Sequence, residues 1–190
     1  MNTNTIQLAT IVASLMSVPA RPATAQGVPF SQHGEVSQRV SHTDISISYN
    51  RPTARGRILF GSDSPAIVRF GRVWHPGADS ATRIRFDKDV SFEGKPLKRG
   101  EYSIWLIPQA EGPWTVILNA ASRVFHSPYP GEATDVLRVT VRPEKGAHMD
   151  ALAYYFPVVG RDSTLLRMHW GETMISMRIL VSKQPERARR

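Results

Sequence analysis

The chain has no cysteine. That excludes disulfide staples, thiolate metal sites and the thiol on which a bacterial lipid anchor is built. Stability must therefore come from apolar burial and backbone pairing. Acidic residues are scarce, 16 against 24 lysines and arginines, and the net charge is +8. Lysine is scarce too, because arginine supplies 19 of those basic residues. No run is apolar enough to cross a bilayer, which takes roughly 20 such residues. There is no G-x-S-x-G elbow, P-loop, dinucleotide fingerprint, HxH or HExxH spacing, so no cofactor or metal site is expected. His33, His42, His126, His148 and His169 are scattered along the chain.

The first residues carry no charge before Arg21, hold an apolar stretch from Ile6 to Val18, and end in Ala23-Thr24-Ala25. This pattern reads as a secretory signal peptide over residues 1–25, cleaved before Gln26. The remainder is expected to be periplasmic or secreted, with a flexible N-terminus over 26–34, one domain over 35–181 and a basic disordered tail over 182–190. The charge is uneven. Residues 51–99 hold eleven basic and five acidic groups, and the last nine residues hold four and one. The aromatic and basic interleaving of a base-stacking platform is absent, so nucleic acid is not an expected partner. Small anions and acidic envelope polymers are.

From residue 35 onward apolar and polar residues alternate with period two, which predicts half-buried strands. Ile45, Ile47 and Tyr49 form one such set, and Ile84 with Phe86 another. Val90-Ser91-Phe92 leads to a tight turn at Glu93-Gly94, with Pro96 expected to end the pairing. Tyr102, Ile104 and Leu106 are followed across Gly112-Pro113 by Trp114, Val116 and Leu118, as in a hairpin. Leu137, Val139 and Val141 come next, and then Leu152, Tyr154 and Phe156, which Pro157 is expected to stop. Leu166, Met168 and Trp170 pair with Ile175, Met177 and Ile179 through a turn at Gly171-Glu172. No helical stripe is present. The fold expected is all-β, an antiparallel β-sandwich of jelly-roll type with eight or nine strands. Outward arginines, among them Arg83, Arg85, Arg138, Arg142, Arg167 and Arg178, pave its wet faces, a pattern that solvation alone explains.

One segment breaks the alternation. Residues 50–64 hold Arg51, Arg55 and Arg57 spaced by Pro52 and Gly56, and they lead on to Trp74-His75-Pro76-Gly77-Ala78-Asp79. A long irregular connection inside a compact β domain is usually functional or disordered, and Ile58, Leu59 and Phe60 argue for order. Arg51 and Arg57 on a Pro/Gly-shaped loop suit bidentate capture of an anion, while Arg55 and Arg69 read as solvated or loop-pinning. Trp74 offers a stacking face. The expected ligand site is Arg51, Arg57, Trp74, His75 and Asp79, on one shared hollow. In the enzymatic alternative, a hydrolase or isomerase, His75 is a general base oriented by Asp79. In the plainer one, His75 hydrogen-bonds a backbone carbonyl and Asp79 caps the turn after Gly77.

The motifs Tyr49-x-Arg51-Pro52-x-x-x-Gly56-Arg57-x-x-Phe60-Gly61 and Gly71-x-Val73-Trp74-x-x-Gly77-Ala78-x-x-Ala81-Thr82 stand out. With Gly100-x-Tyr102-Ser103, Trp114-x-Val116-Ile117, Asp135-Val136-Leu137-Arg138-Val139 and Trp170, they make the chain similar to the exported bacterial family catalogued as domain of unknown function 2911. The resemblance implies export and a β-rich domain, and supplies no activity. Relatives tend to carry Arg and Asn where this chain has His75 and Asp79.

Overall fold

The structure, a computed structural model, describes residues 30–181. The signal peptide expected over 1–25 and the tail over 182–190 lie outside the described residues, as do residues 26–29. Alternation produces strands throughout, with no α-helix among the described residues and one 3-10 turn at Glu132–Thr134. No described helix is long and apolar enough to cross a membrane.

One sheet has six strands: β1 (Gln32–Val40), β2 (Thr43–Arg51), β5 (Arg83–Phe86), β8 (Gly100–Ile107), β9 (Trp114–Asn119) and β10 (Asp135–Val141), adjacent in that order. The other has four, in the order β11 (Pro143–Val159), β12 (Ser163–Val181), β6 (Val90–Phe92) and β7 (Lys95–Leu97). All these ladders are antiparallel. Two short strands, β3 (Phe60–Gly61) and β4 (Val68–Arg69), pair in parallel within the irregular segment.

The sheets share one core. Ile45, Ile47, Ile84, Phe86, Ile104, Leu106, Val116 and Leu118 come from the six-stranded sheet, and Phe92, Leu152, Leu166, Met168, Ile175, Met177 and Ile179 from the four-stranded one. Each large apolar side chain buried this way contributes about 1.5–3 kcal/mol relative to exposure. Tyr49 and Tyr154 meet across the interface with ring centroids 4.9 Å apart, and the Tyr154 N–H donates to the Tyr49 hydroxyl at 3.1 Å. The molecule is thus a two-sheet antiparallel sandwich.

Four boundaries differ from the sequence expectation. Strand β1 begins at Gln32, inside the segment expected to be flexible, because residues 32–34 pair with 49–51 of β2. Pro96 lies within β7 opposite Ser91, and Pro157 lies within β11. Both strands are at sheet edges, where a missing N–H costs no ladder bond. The turn expected at Gly171-Glu172 does not form, and β12 runs straight through it. Gly171 takes φ 59°, and a Cβ there would lie 2.6 Å from Leu59 Cδ1, so glycine admits a close approach. The Glu93-Gly94 turn forms as expected, with both residues at positive φ.

A smaller cluster covers part of the outer face of the six-stranded sheet. Ala81, Trp105 and Ile117 pack there beneath Val124 and Tyr129, which belong to the connection between β9 and β10.

Candidate functional site

Residues 74–82 leave and rejoin the edge of β8. Trp74 exchanges two backbone bonds with Leu106, at 2.7 and 2.8 Å, and the Thr82 carbonyl accepts from Ile104 N–H at 2.9 Å. Strand-like pairing turns consecutive side chains to opposite faces. Trp74 accordingly packs in the sandwich, stacked on Trp170 at 5.8 Å and edge-on to Phe60 at 5.5 Å. Phe60 in turn touches Trp114 at 5.0 Å. The indole expected to stack on a ligand is committed to this cluster.

His75 contacts the outer cluster instead, 5.6 Å from the Trp105 ring and 6.3 Å from His126. It is 4% exposed. Its Nε2 accepts the Thr82 backbone N–H, and the Thr82 hydroxyl donates to the Pro76 carbonyl at 2.9 Å, so the imidazole closes the base of the 75–81 loop. With Nε2 accepting, the proton sits on Nδ1, which is buried without a partner. Burial, and secondarily the neighbouring His126, pushes the pKa down to about 3. A ring held neutral with its lone pair engaged is no general base at ordinary pH.

Asp79 does not orient it. The Asp79 carboxylate accepts from Asn50 Nδ2 at 3.4 Å, and its backbone carbonyl accepts from His126 N–H at 2.8 Å. The His75/Asp79 pair of the enzymatic alternative is therefore not formed. The plainer alternative is closer, although His75 accepts a backbone N–H where donation to a carbonyl was expected.

Arg51 and Arg57 also serve their own loop. Arg51 Nε donates to Leu152 O at 3.1 Å, while Arg57 donates to Ala54 O at 3.0 Å and Thr53 O at 2.7 Å. The segment is fastened to β11 by Ala54 N–H to Asp150 O at 2.7 Å and Leu152 N–H to Pro52 O at 2.9 Å. Arg55 lies 3.4 Å over the Phe30 ring. No hydrogen bond, ion pair or ring contact joins either arginine to Trp74, His75 or Asp79 among the described residues. The single site expected of these five residues is thus dispersed, because Arg51 is spent on β11, Arg57 on its own loop, and consecutive residues 74 and 75 face apart.

A different surface gathers polar groups. On the outer face of the six-stranded sheet, one hollow of about 110 Å³ is bordered by His33, Ser48, Asn50, Ser80 and Arg83. A second, of about 370 Å³, is bordered by Ser80, Arg83, Ser122, Arg123 and Phe125. They share Ser80, Ala81 and Arg83, so the two hollows adjoin along a groove-like stretch of this face. Its walls are tied together: Ala81 N–H donates to Val124 O at 2.9 Å, and Ser80 pairs with Phe125.

Arg83 donates to Ser48 Oγ at 3.1 Å and has no carboxylate partner among the described residues. Arg123 is paired, 3.3 Å from Glu101, which also accepts from Ser122 Oγ at 2.9 Å. No carboxylate lines either half of the groove, whereas two other hollows on the molecule are lined by Asp89 and by Glu93. Sequence reading placed Arg83 on a wet face but did not single it out. The outward alternation of Arg83 and Arg85 was its only signal, since Ser48, Asn50, Ser122 and Phe125 are brought to it by tertiary folding.

The fold and these hollows define an all-β sandwich with Arg83 set in the outer face of one sheet. A family model with the description "Protein of unknown function (DUF2911)" matches residues 31–179, and the chain belongs to that family. No curated protein and no solved structure matches it.

Proposed function

We propose that this protein is an exported binding domain of the bacterial cell envelope, periplasmic or secreted, whose ligand is a small anion or an acidic glycan. The leader-like residues 1–25 and the absence of cysteine support export. The observation that carries the binding reading is Arg83, a part-buried guanidinium with no carboxylate partner among the described residues, bordering hollows whose described lining holds hydroxyl and amide groups and no acid. A fork of donors held in place by Ser48 is pre-organised for a planar oxyanion. The cationic excess read from residues 51–99 thereby acquires a focus, moved from Arg51 and Arg57 to Arg83.

Two measurements test this. N-terminal sequencing of the protein recovered from the envelope is expected to begin at Gln26; a chain retained in the cytoplasm with residues 1–25 intact would remove the export claim. Calorimetric titration with glucuronate and with inorganic sulfate is expected to give saturable heat that Arg83→Ala abolishes and the double change Arg51→Ala, Arg57→Ala leaves in place. The opposite pattern would return the site to the 51–57 loop.

A further inference from the structure

We infer that the groove takes an extended acidic sugar chain, a uronate oligosaccharide, lying across the strands with its carboxylate on Arg83 and a ring face on Phe125. This rests on the binding reading above and narrows it. Three observations separate a chain from a single ion.

The first is extent. Both hollows are lined by Ser80, Ala81 and Arg83, so open space borders these residues on two sides. The larger half, about 370 Å³, is already at the lower end of small-ligand pockets, which span roughly 300–1,000 Å³. An isolated oxyanion at Arg83 leaves most of this length empty.

The second is Phe125. Its ring is 59% exposed, yet its backbone is held by the pairing with Ser80 and its ring rests against His126 at 4.3 Å. An aromatic ring fixed in place and left open to water on a groove wall presents an apolar face at little further entropic cost. The C–H face of a pyranose matches such a ring, and a phosphate or sulfate does not.

The third is the chemistry between these points. Ser48, Asn50, Ser80 and Ser122 line the hollows with neutral hydroxyl and amide groups, of which Asn50 Nδ2 and the Ser122 hydroxyl already donate to Asp79 and Glu101. Such groups suit the hydroxyls of a sugar, and one guanidinium without a competing carboxylate suits one acid group per passage. A strongly charged polyanion would be better served by several unpaired cations, and Arg123 is already paired with Glu101.

The test uses the intact protein and four probes: tetragalacturonate, the same tetramer with its carboxylates reduced to alcohols, inorganic phosphate and inorganic sulfate. Tetragalacturonate is expected to bind, with the reduced tetramer weaker by roughly tenfold or more, the loss of one charge-assisted contact. Phe125→Ala is expected to weaken tetragalacturonate by about three- to tenfold, the effect of one aromatic contact. Phosphate or sulfate binding as tightly as the tetramer, with Phe125→Ala silent, would overturn the glycan inference and leave an anion site at Arg83. Equal affinity for the native and reduced tetramers would also overturn it, since Arg83 would then read no carboxylate. Silence from all four probes would overturn both this inference and the binding reading.

Discussion

Arg167 and Arg83 lie on the outer faces of the two sheets, one on each, and the fold treats them differently. Arg167 donates to Ser176 Oγ at 3.0 Å and lies 3.3 Å from Glu144, and Ser176 closes the triangle with Glu144 at 2.8 Å. Arg83 has its serine, Ser48, but no acid. The same side-chain pattern is self-satisfied on one face and left open on the other. An arginine becomes a candidate for binding through what is missing around it, and a count of arginines in the sequence does not show that.

Trp74 and His75 sharpen the contrast, since both are engaged within the fold, Trp74 on Trp170 and His75 Nε2 on Thr82. Trp74→Ala removes one of four packed rings and is expected to cost about 3–5 kcal/mol in chemical denaturation. A loss under 1 kcal/mol would mean that the indole is not structural.

The acid dependence of stability tests His75. Its folded pKa, about 3, lies below the unfolded value near 6.5, so the unfolded chain takes up a proton that the native state refuses. Above pH 6.5 the group contributes no slope. As pH falls from about 6.5 towards 3, it removes about 1.4 kcal/mol of stability per pH unit. Denaturation midpoints measured across that window for the wild type and His75→Gln should diverge by this slope, with the variant flatter. Parallel curves would show that the imidazole is accessible to protons.

The smaller effects compare the faces directly. Arg167→Ala is expected to lower stability by roughly 0.5–1.5 kcal/mol, because it strips Glu144 and Ser176 of their partner. Arg83→Ala should stay within about 0.5 kcal/mol of wild type, as a surface change away from any paired network does. Phe125→Ser, on the open groove wall, should be smaller still, and its melting curve should overlay the wild type. Reversal of the order of Arg167 and Arg83 would erase the distinction between the two faces.

Much of the fold was legible in the sequence because burial on one side of a sheet imposes period two. Ile45, Ile47 and Tyr49, or Trp114, Val116 and Leu118, could belong to little else. Three of the four misplaced boundaries have one cause in common: Pro96, Pro157 and Gly171 look like punctuation in the sequence, and each is tolerated inside a strand by its surroundings. Two of them sit on sheet edges, and the third lies where Leu59 crosses. The site was much less legible. Proximity in a loop suggested that Trp74 and His75 act together, whereas pairing with Leu106 separates them. The groove draws on residues 33, 48–50, 80, 81, 83 and 122–125. Only sheet pairing and the fold-back of the β9–β10 connection make them neighbours.

The most direct measurement follows the Nε–H signals of the arginines by NMR while a uronate oligomer is added. Arg83 should shift and saturate, while Arg57, whose Nε is bonded to Ala54 O, should hold still. Saturable movement of Arg57 with Arg83 unmoved would contradict the account.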